Sequence, residues 1–156
     1  MSTILWTVVL PSCVVAGWVI VRRPLRLFAE ELRVDRARVL FRPRREWLEA
    51  RFLTGLARVD PLERVRWEDA HWHDEVLWAR DRQTRVLLAL IGVHFDGPPF
   101  DERGEPCPRH STALFEFRKG RWRADGKRLD EIQPDEAVLR NHRFEPVAAP
   151  HHRRPA

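Results

Sequence analysis

Only two of the 156 residues are cysteine, and they stand far apart as Cys13 and Cys107. No intramolecular disulfide is expected between them, which excludes a disulfide-stapled secreted scaffold. Lysine is equally scarce: of 28 basic residues, all but Lys119 and Lys127 are arginine. That bias fits a GC-rich coding sequence better than a binding preference. There is no glycine-rich phosphate loop, dinucleotide fingerprint, paired-carboxylate motif or internal repeat, so no signature names a reaction. The most informative absence is local, because residues 1–21 carry no charged side chain.

The overall balance is basic, at +5, and its placement decides what it means. Residues 22–45 hold nine arginines against Glu30, Glu31 and Asp35, a local charge of +6. Subtracting this from +5 leaves −1 for residues 46–156. The body of the protein is therefore not basic, which argues against a nucleic-acid partner. The excess lies beside the apolar segment, which argues for a membrane.

Residues 4–21, ILWTVVLPSCVVAGWVIV, span about 27 Å as a helix, close to the roughly 30 Å of bilayer hydrocarbon. Trp6 and Trp18 lie near the two ends, where indole favours the headgroup region, and Arg22, Arg23 and Arg26 stop the span. A cleaved signal peptide fits poorly, because no basic residue precedes the apolar run. A lipoprotein reading would use Leu10-Pro11-Ser12-Cys13, but Pro11 stands where a small residue is wanted. A buried core helix rarely runs this long without a polar residue. The expectation is a transmembrane anchor over 1–23, followed by a basic juxtamembrane segment over 24–42 that faces anionic lipid. The flanking arginines place the N-terminus outside and the rest in the cytoplasm, as a single-pass protein of the inner (plasma) membrane.

Behind the anchor, Pro24 can kink the chain, and Leu25, Phe28 and Leu32 keep a helical spacing. Pro43 suits a first helical position. Leu48, Phe52, Leu56 and Val59, widened by Trp47 and Leu53, then form one apolar face of a helix over 44–58, closed by Asp60-Pro61. Residues 70–80 and 85–96 flank a turn at 81–84 and read as a β-hairpin. With Arg82-Gln83 as the loop, Trp78 faces Leu87 and His71 faces His94. One face then collects Trp72, Val76 and Trp78 with Leu87, Ala89, Ile91, Val93 and Phe95, leaving the other to solvent.

Residues 97–111 form a long Pro-rich loop. A second hairpin turns at Lys119-Gly120, setting Phe117 against Trp122 and Glu116 against Arg123. Asp125-Gly126 turns again into a short strand within 127–132, and Pro134-Asp135-Glu136 opens a closing helix. The tail, 148–156, reads as frayed. The expected fold is thus a single N-terminal transmembrane helix plus a small α+β domain over 43–147. Its antiparallel sheet of two hairpins, three to five strands, is packed by an amphipathic helix.

Two clusters carry candidate chemistry. The hairpin places His71, His73 and Asp69 on one strand face, with His94 and Asp96 on the partner strand and Asp69 opposite Asp96. Three imidazoles and two carboxylates suit a divalent metal such as zinc, iron or manganese. Solvent-facing polar residues at a strand end are the simpler alternative. Cys107 and His110 bring a thiol near an imidazole, but no orienting third group or oxyanion hole accompanies them. His151-His152 in the tail is a weaker signal still.

Trp47, Trp72, Trp78 and Trp122 fall on expected core faces, and Trp67 has no assigned place. The aromatics sit in apolar company, so core packing accounts for them better than base stacking. The leading functional expectation is a non-enzymatic cytoplasmic module that binds a protein or small ligand, with no resident cofactor. The alternative is a metal-dependent enzyme or metal sensor at the histidine end of the first hairpin.

Overall fold

The stripe Leu48, Phe52 and Leu56 forms a helix because residues four apart share a face, and all three are buried in the helix Arg45–Val59, α1. The computed structural model describes residues 30–59, 61–96, 108–140 and 142–147. The expected anchor with Trp6, Trp18, Arg22, Arg23 and Arg26 lies outside the described residues, as do Cys107, most of the Pro-rich loop and the tail. Among the described residues no helix is long and apolar enough to cross a membrane. The chain divides into two units, 1–36 and 37–156. In the first, residues 30–36 are helical.

The second unit is a small α+β domain. Helical residues 37–41 and a 3-10 turn at Arg42–Arg44 lead into α1, so Pro43 stands second in that turn, within a run already helical, rather than at a first helical position. The helix Pro61–Glu68, α2, follows. Then come strands β1 (His71–Asp81), β2 (Leu87–His94), β3 (His110–Arg118), β4 (Arg121–Arg123) and β5 (Arg128–Asp130), helix α3 (Pro134–Arg140) and strand β6 (Phe144–Pro146). All pairings are antiparallel, in the order β4-β3-β2-β1-β6, with β5 also on β3. The sheet has six strands rather than three to five, because the chain after α3 adds β6 to the free edge of β1.

One sheet face packs beneath the helices with aromatic rings at its centre. Phe52 lies 4.9 Å from Trp67 and 5.7 Å from Phe115, centroid to centroid. Phe41 lies 4.9 Å from Trp122 and 5.5 Å from Trp78, both edge-on. Such pairs add about 0.5–1.5 kcal/mol each beyond area burial. The Trp122 indole donates to the Ala37 carbonyl at 2.9 Å, so burial leaves that N–H satisfied. Trp67, unplaced by the sequence, is fully buried here.

The opposite face is not left to solvent. Ala79, Leu88, Leu90, Leu114, Ala137 and Phe144 form a second core, covered by α3. Burial on both faces explains why β2 reads as a near-continuous apolar run.

Two helix positions are corrected. Trp47 is 54% exposed and Val59 85% exposed. At about 100° per residue, Trp47 points well away from the Leu48-Phe52-Leu56 stripe, while Val59 lies past the edge of the core. Gly55 marks a close approach of α1 to the β4–β5 turn. A Cβ there would stand 2.8 Å from Asp125 C and Gly126 N, and Gly126 itself has φ +72.

Candidate functional site

The histidine end of the first hairpin takes its geometry from a bulge. His71 faces His94 and Trp72 faces Val93, as the sequence predicts. Nearer the turn, Trp78 faces Ala89 rather than Leu87. Between Trp72 and Val76, three residues of β1 stand against Gly92 alone. Two extra residues preserve the side-chain alternation, so the face assignments survive the shifted register.

A bulge takes backbone groups out of the ladder, and here a side chain from α1 takes them up. The Arg45 guanidinium donates to the Asp74 carbonyl at 2.9 Å and the His73 carbonyl at 2.5 Å. Its Nε donates to Glu49 Oε1 at 2.7 Å, one helical turn on, which fixes the fork. Gly92 makes room for what the bulge presents. A Cβ at Gly92 would lie 3.1 Å from His73 Nδ1 and 3.3 Å from Gln133 Oε1.

Past the bulge, histidines line up across three strands: His71 pairs with His94, and His94 pairs with His110. Paired residues project to the same side of a sheet. His71 Nε2 lies 2.8 Å from Asp96 Oδ2, and His94 Nε2 lies 3.4 Å from Asp96 Oδ1. One carboxylate thus stands between two imidazoles, and all three side chains are exposed. Asp69 takes no part in the ladder: it occupies the bend before β1, and among the described residues no pairing joins it to Asp96.

His110 is the member that sequence reasoning assigned elsewhere, to the thiol Cys107. Its place beside His94 follows from the β2–β3 register, in which Leu87 faces Phe117 and Ala89 faces Phe115. Extending the apolar match from those aromatics would have found it.

A metal at this end would need three or four donor atoms converging within about 2.0–2.2 Å of one point. Among the described residues no group of three or more His, Cys, Asp or Glu side chains is so arranged. His71 and His94 turn their Nε2 atoms on Asp96, while the His73 ring stands over Gly92.

Among the described residues two carboxylates are buried, and both serve the fold. At the hairpin turn, Asp81 Oδ1 accepts the Gln83 and Thr84 N–H groups at 2.9 and 3.0 Å, and Oδ2 accepts Arg143 Nε at 2.7 Å. Burial pushes this carboxyl up, but the hydrogen bonds from Thr84, Arg143 and Gln83 outweigh it and hold the group below the usual range. Glu116 on β3 behaves alike. Burial raises it, while Lys127 Nζ and Arg118 Nε, each at 2.6 Å, bring it below the ordinary value.

Beside the bulge lies a groove of about 540 Å³, lined by Arg38, Phe41, Arg42, Arg45, Glu75 and Trp78 among others. Its volume falls in the range of small-ligand sites, roughly 300–1,000 Å³, and its lining is more charged than apolar: Arg38, Arg42, Arg45, Asp74 and Glu75 against Phe41, Val76 and Trp78. The Arg38 guanidinium stands 5.6 Å from the centre of the Trp78 ring. Comparison of the chain with protein-family models, with curated proteins and with solved structures finds no match.

Proposed function

We propose that the chain is a single-pass protein of the inner (plasma) membrane, with its N-terminus outside and its α+β domain in the cytoplasm as a non-enzymatic binding module. The observation that carries this reading is the charge partition: no charged side chain in residues 1–21, then nine arginines against three acids in 22–45. Lipid accepts the first segment and the second resists crossing. The groove beside the bulge gives the module a place to hold a small ligand or a peptide side chain.

Paired C-terminal fusions to full-length chain test the topology. Alkaline phosphatase stays inactive and green fluorescent protein fluoresces if the domain is cytoplasmic; the reverse pair of results overturns it. Resistance of the full chain to alkaline carbonate extraction tests the anchor. Co-purification from membranes, with identification of what comes along, tests the binding role.

One observation favours the second reading, a metal-dependent enzyme or sensor: Asp96 already stands between His71 and His94. That reading needs a third ligand to join them, and His110 is next along the row. Stoichiometric zinc, iron or manganese in the purified full-length protein, lost in a His71→Ala/His94→Ala double variant, would support it. Metal-free protein whose stability the double variant leaves unchanged would dismiss it.

A further inference from the structure

On the side turned away from the core, Arg44 at the end of the 3-10 turn and Trp47, Arg51, Thr54 and Arg58 of α1 recur at spacings of three and four, and all five are exposed. Residues so spaced form one stripe along a helix. The two acids of α1, Glu46 and Glu49, project elsewhere, and Glu49 is held by Arg45. Arg51 stands 5.4 Å from the centre of the Trp47 ring. A groove of about 470 Å³ runs alongside, lined by Trp47, Arg51, Thr54, Arg58 and Val59, with Asp125 as its acidic member. Among the described residues no ion pair engages Arg44, Arg51 or Arg58.

We propose that this stripe is a docking face for anionic phospholipid headgroups, which lays α1 against the membrane surface. Arginine forks match phosphate oxygens. Indole favours the headgroup layer, and each arginine near an anionic leaflet adds about 1 kcal/mol of attraction. The stripe is purely cationic where the body of the domain is near neutral, so its complement is an extended anionic surface rather than a mixed one. The inference rests on the anchored reading, since a tether keeps the headgroups at high effective concentration beside the domain.

The test reconstitutes the full chain in vesicles of phosphatidylcholine alone and in vesicles with about one third phosphatidylglycerol, then measures residue-resolved hydroxyl-radical oxidation. Trp47 oxidation should fall at least about threefold in the anionic vesicles and recover in about 0.5 M salt, where charge is screened over only a few ångströms. Leu139, 83% exposed on α3, should not change. Replacing the arginines together (R44Q/R51Q/R58Q) should abolish the protection while leaving the melting transition in place, because all three are exposed. Equal oxidation of Trp47 in both vesicles overturns the proposal, as does shielding by soluble polyglutamate but not by lipid. Carbonate extraction of the same samples separates the two ideas. A chain that stays inserted with Trp47 unprotected removes docking alone. A stripped chain whose Trp47 is shielded by anionic vesicles removes the anchor and keeps the docking face.

Discussion

The two ends of the β1–β2 hairpin each hold a carboxylate between nitrogen groups, under opposite conditions. At the turn, Asp81 is 3% exposed and both its oxygens are taken by Gln83, Thr84 and Arg143. At the far end, Asp96 keeps 66% of its side chain in solvent and, among the described residues, pairs with His71 and His94. A buried carboxylate has lost water and depends on its partners. An exposed one can exchange partners at little cost. The turn end is therefore tied to the fold, and the histidine end can change partners at little cost to it.

The largest expected effect tests the turn end. Asp81→Ala removes two turn hydrogen bonds and the ion pair to Arg143, and should destabilise the domain by about 2–3 kcal/mol. Thermal melting of the full chain, followed by tryptophan fluorescence, reads this out; a loss below about 0.5 kcal/mol would mean that the turn holds without its carboxylate.

Next in size comes the device between the two ends. Arg45→Met leaves the His73 and Asp74 carbonyls without their donor and should cost about 1–2 kcal/mol. Amide exchange across 72–76 should accelerate more than exchange at 87–90. Arg45→Lys should recover only part of the loss, because a single ammonium cannot repeat the fork. Unchanged exchange across the bulge would show that water replaces the guanidinium without penalty.

Acid should separate the two carboxylate classes. Asp81 and Glu116 have lowered native pKa values. Each therefore contributes stability that is fully present above its unfolded value, near pH 4, and is lost as pH falls through the lower folded value. Urea midpoints of the full chain should decline below about pH 4, and Asp81→Asn should flatten that decline. An unaltered slope in the variant would assign acid sensitivity elsewhere.

The same contrast decides what could be read without coordinates. The faces were legible because the period of two fixes them, and His71 met His94 as expected because the two residues added by the bulge offset the two-residue register error at the turn. The exact pairing near the turn was not, since nothing in Asp81–Thr84 announces that the strands rejoin at Arg80 and Leu87. Leu88, Leu90 and Leu114 were visible as apolar, but their cover, α3, follows later in the chain and packs by tertiary contact. Trp47 was misplaced because one residue of helical phase turns a side chain by about 100°. Arg45 was illegible as an anchor, because its partners are backbone carbonyls that only the bulge exposes. His110 was missed for a related reason: its neighbour in space is fixed by the β2–β3 register, while its neighbours in sequence are Cys107 and the Pro-rich loop.

The smallest effect on stability is expected at the exposed end of the hairpin. Asp96→Asn keeps the shape of the side chain and removes its charge from between two imidazoles. Exposed pairs of this kind contribute about 0–1 kcal/mol, so the melting transition should move little. The imidazole resonances of His71 and His94 should shift, because both rings lose the same charged neighbour. His73, seated over Gly92, should not follow them. Should all three histidines respond equally, Asp96 would belong to a wider network than the distances define. Should neither His71 nor His94 respond, the pairing would be absent in solution, and the metal-dependent reading would lose the observation that favours it.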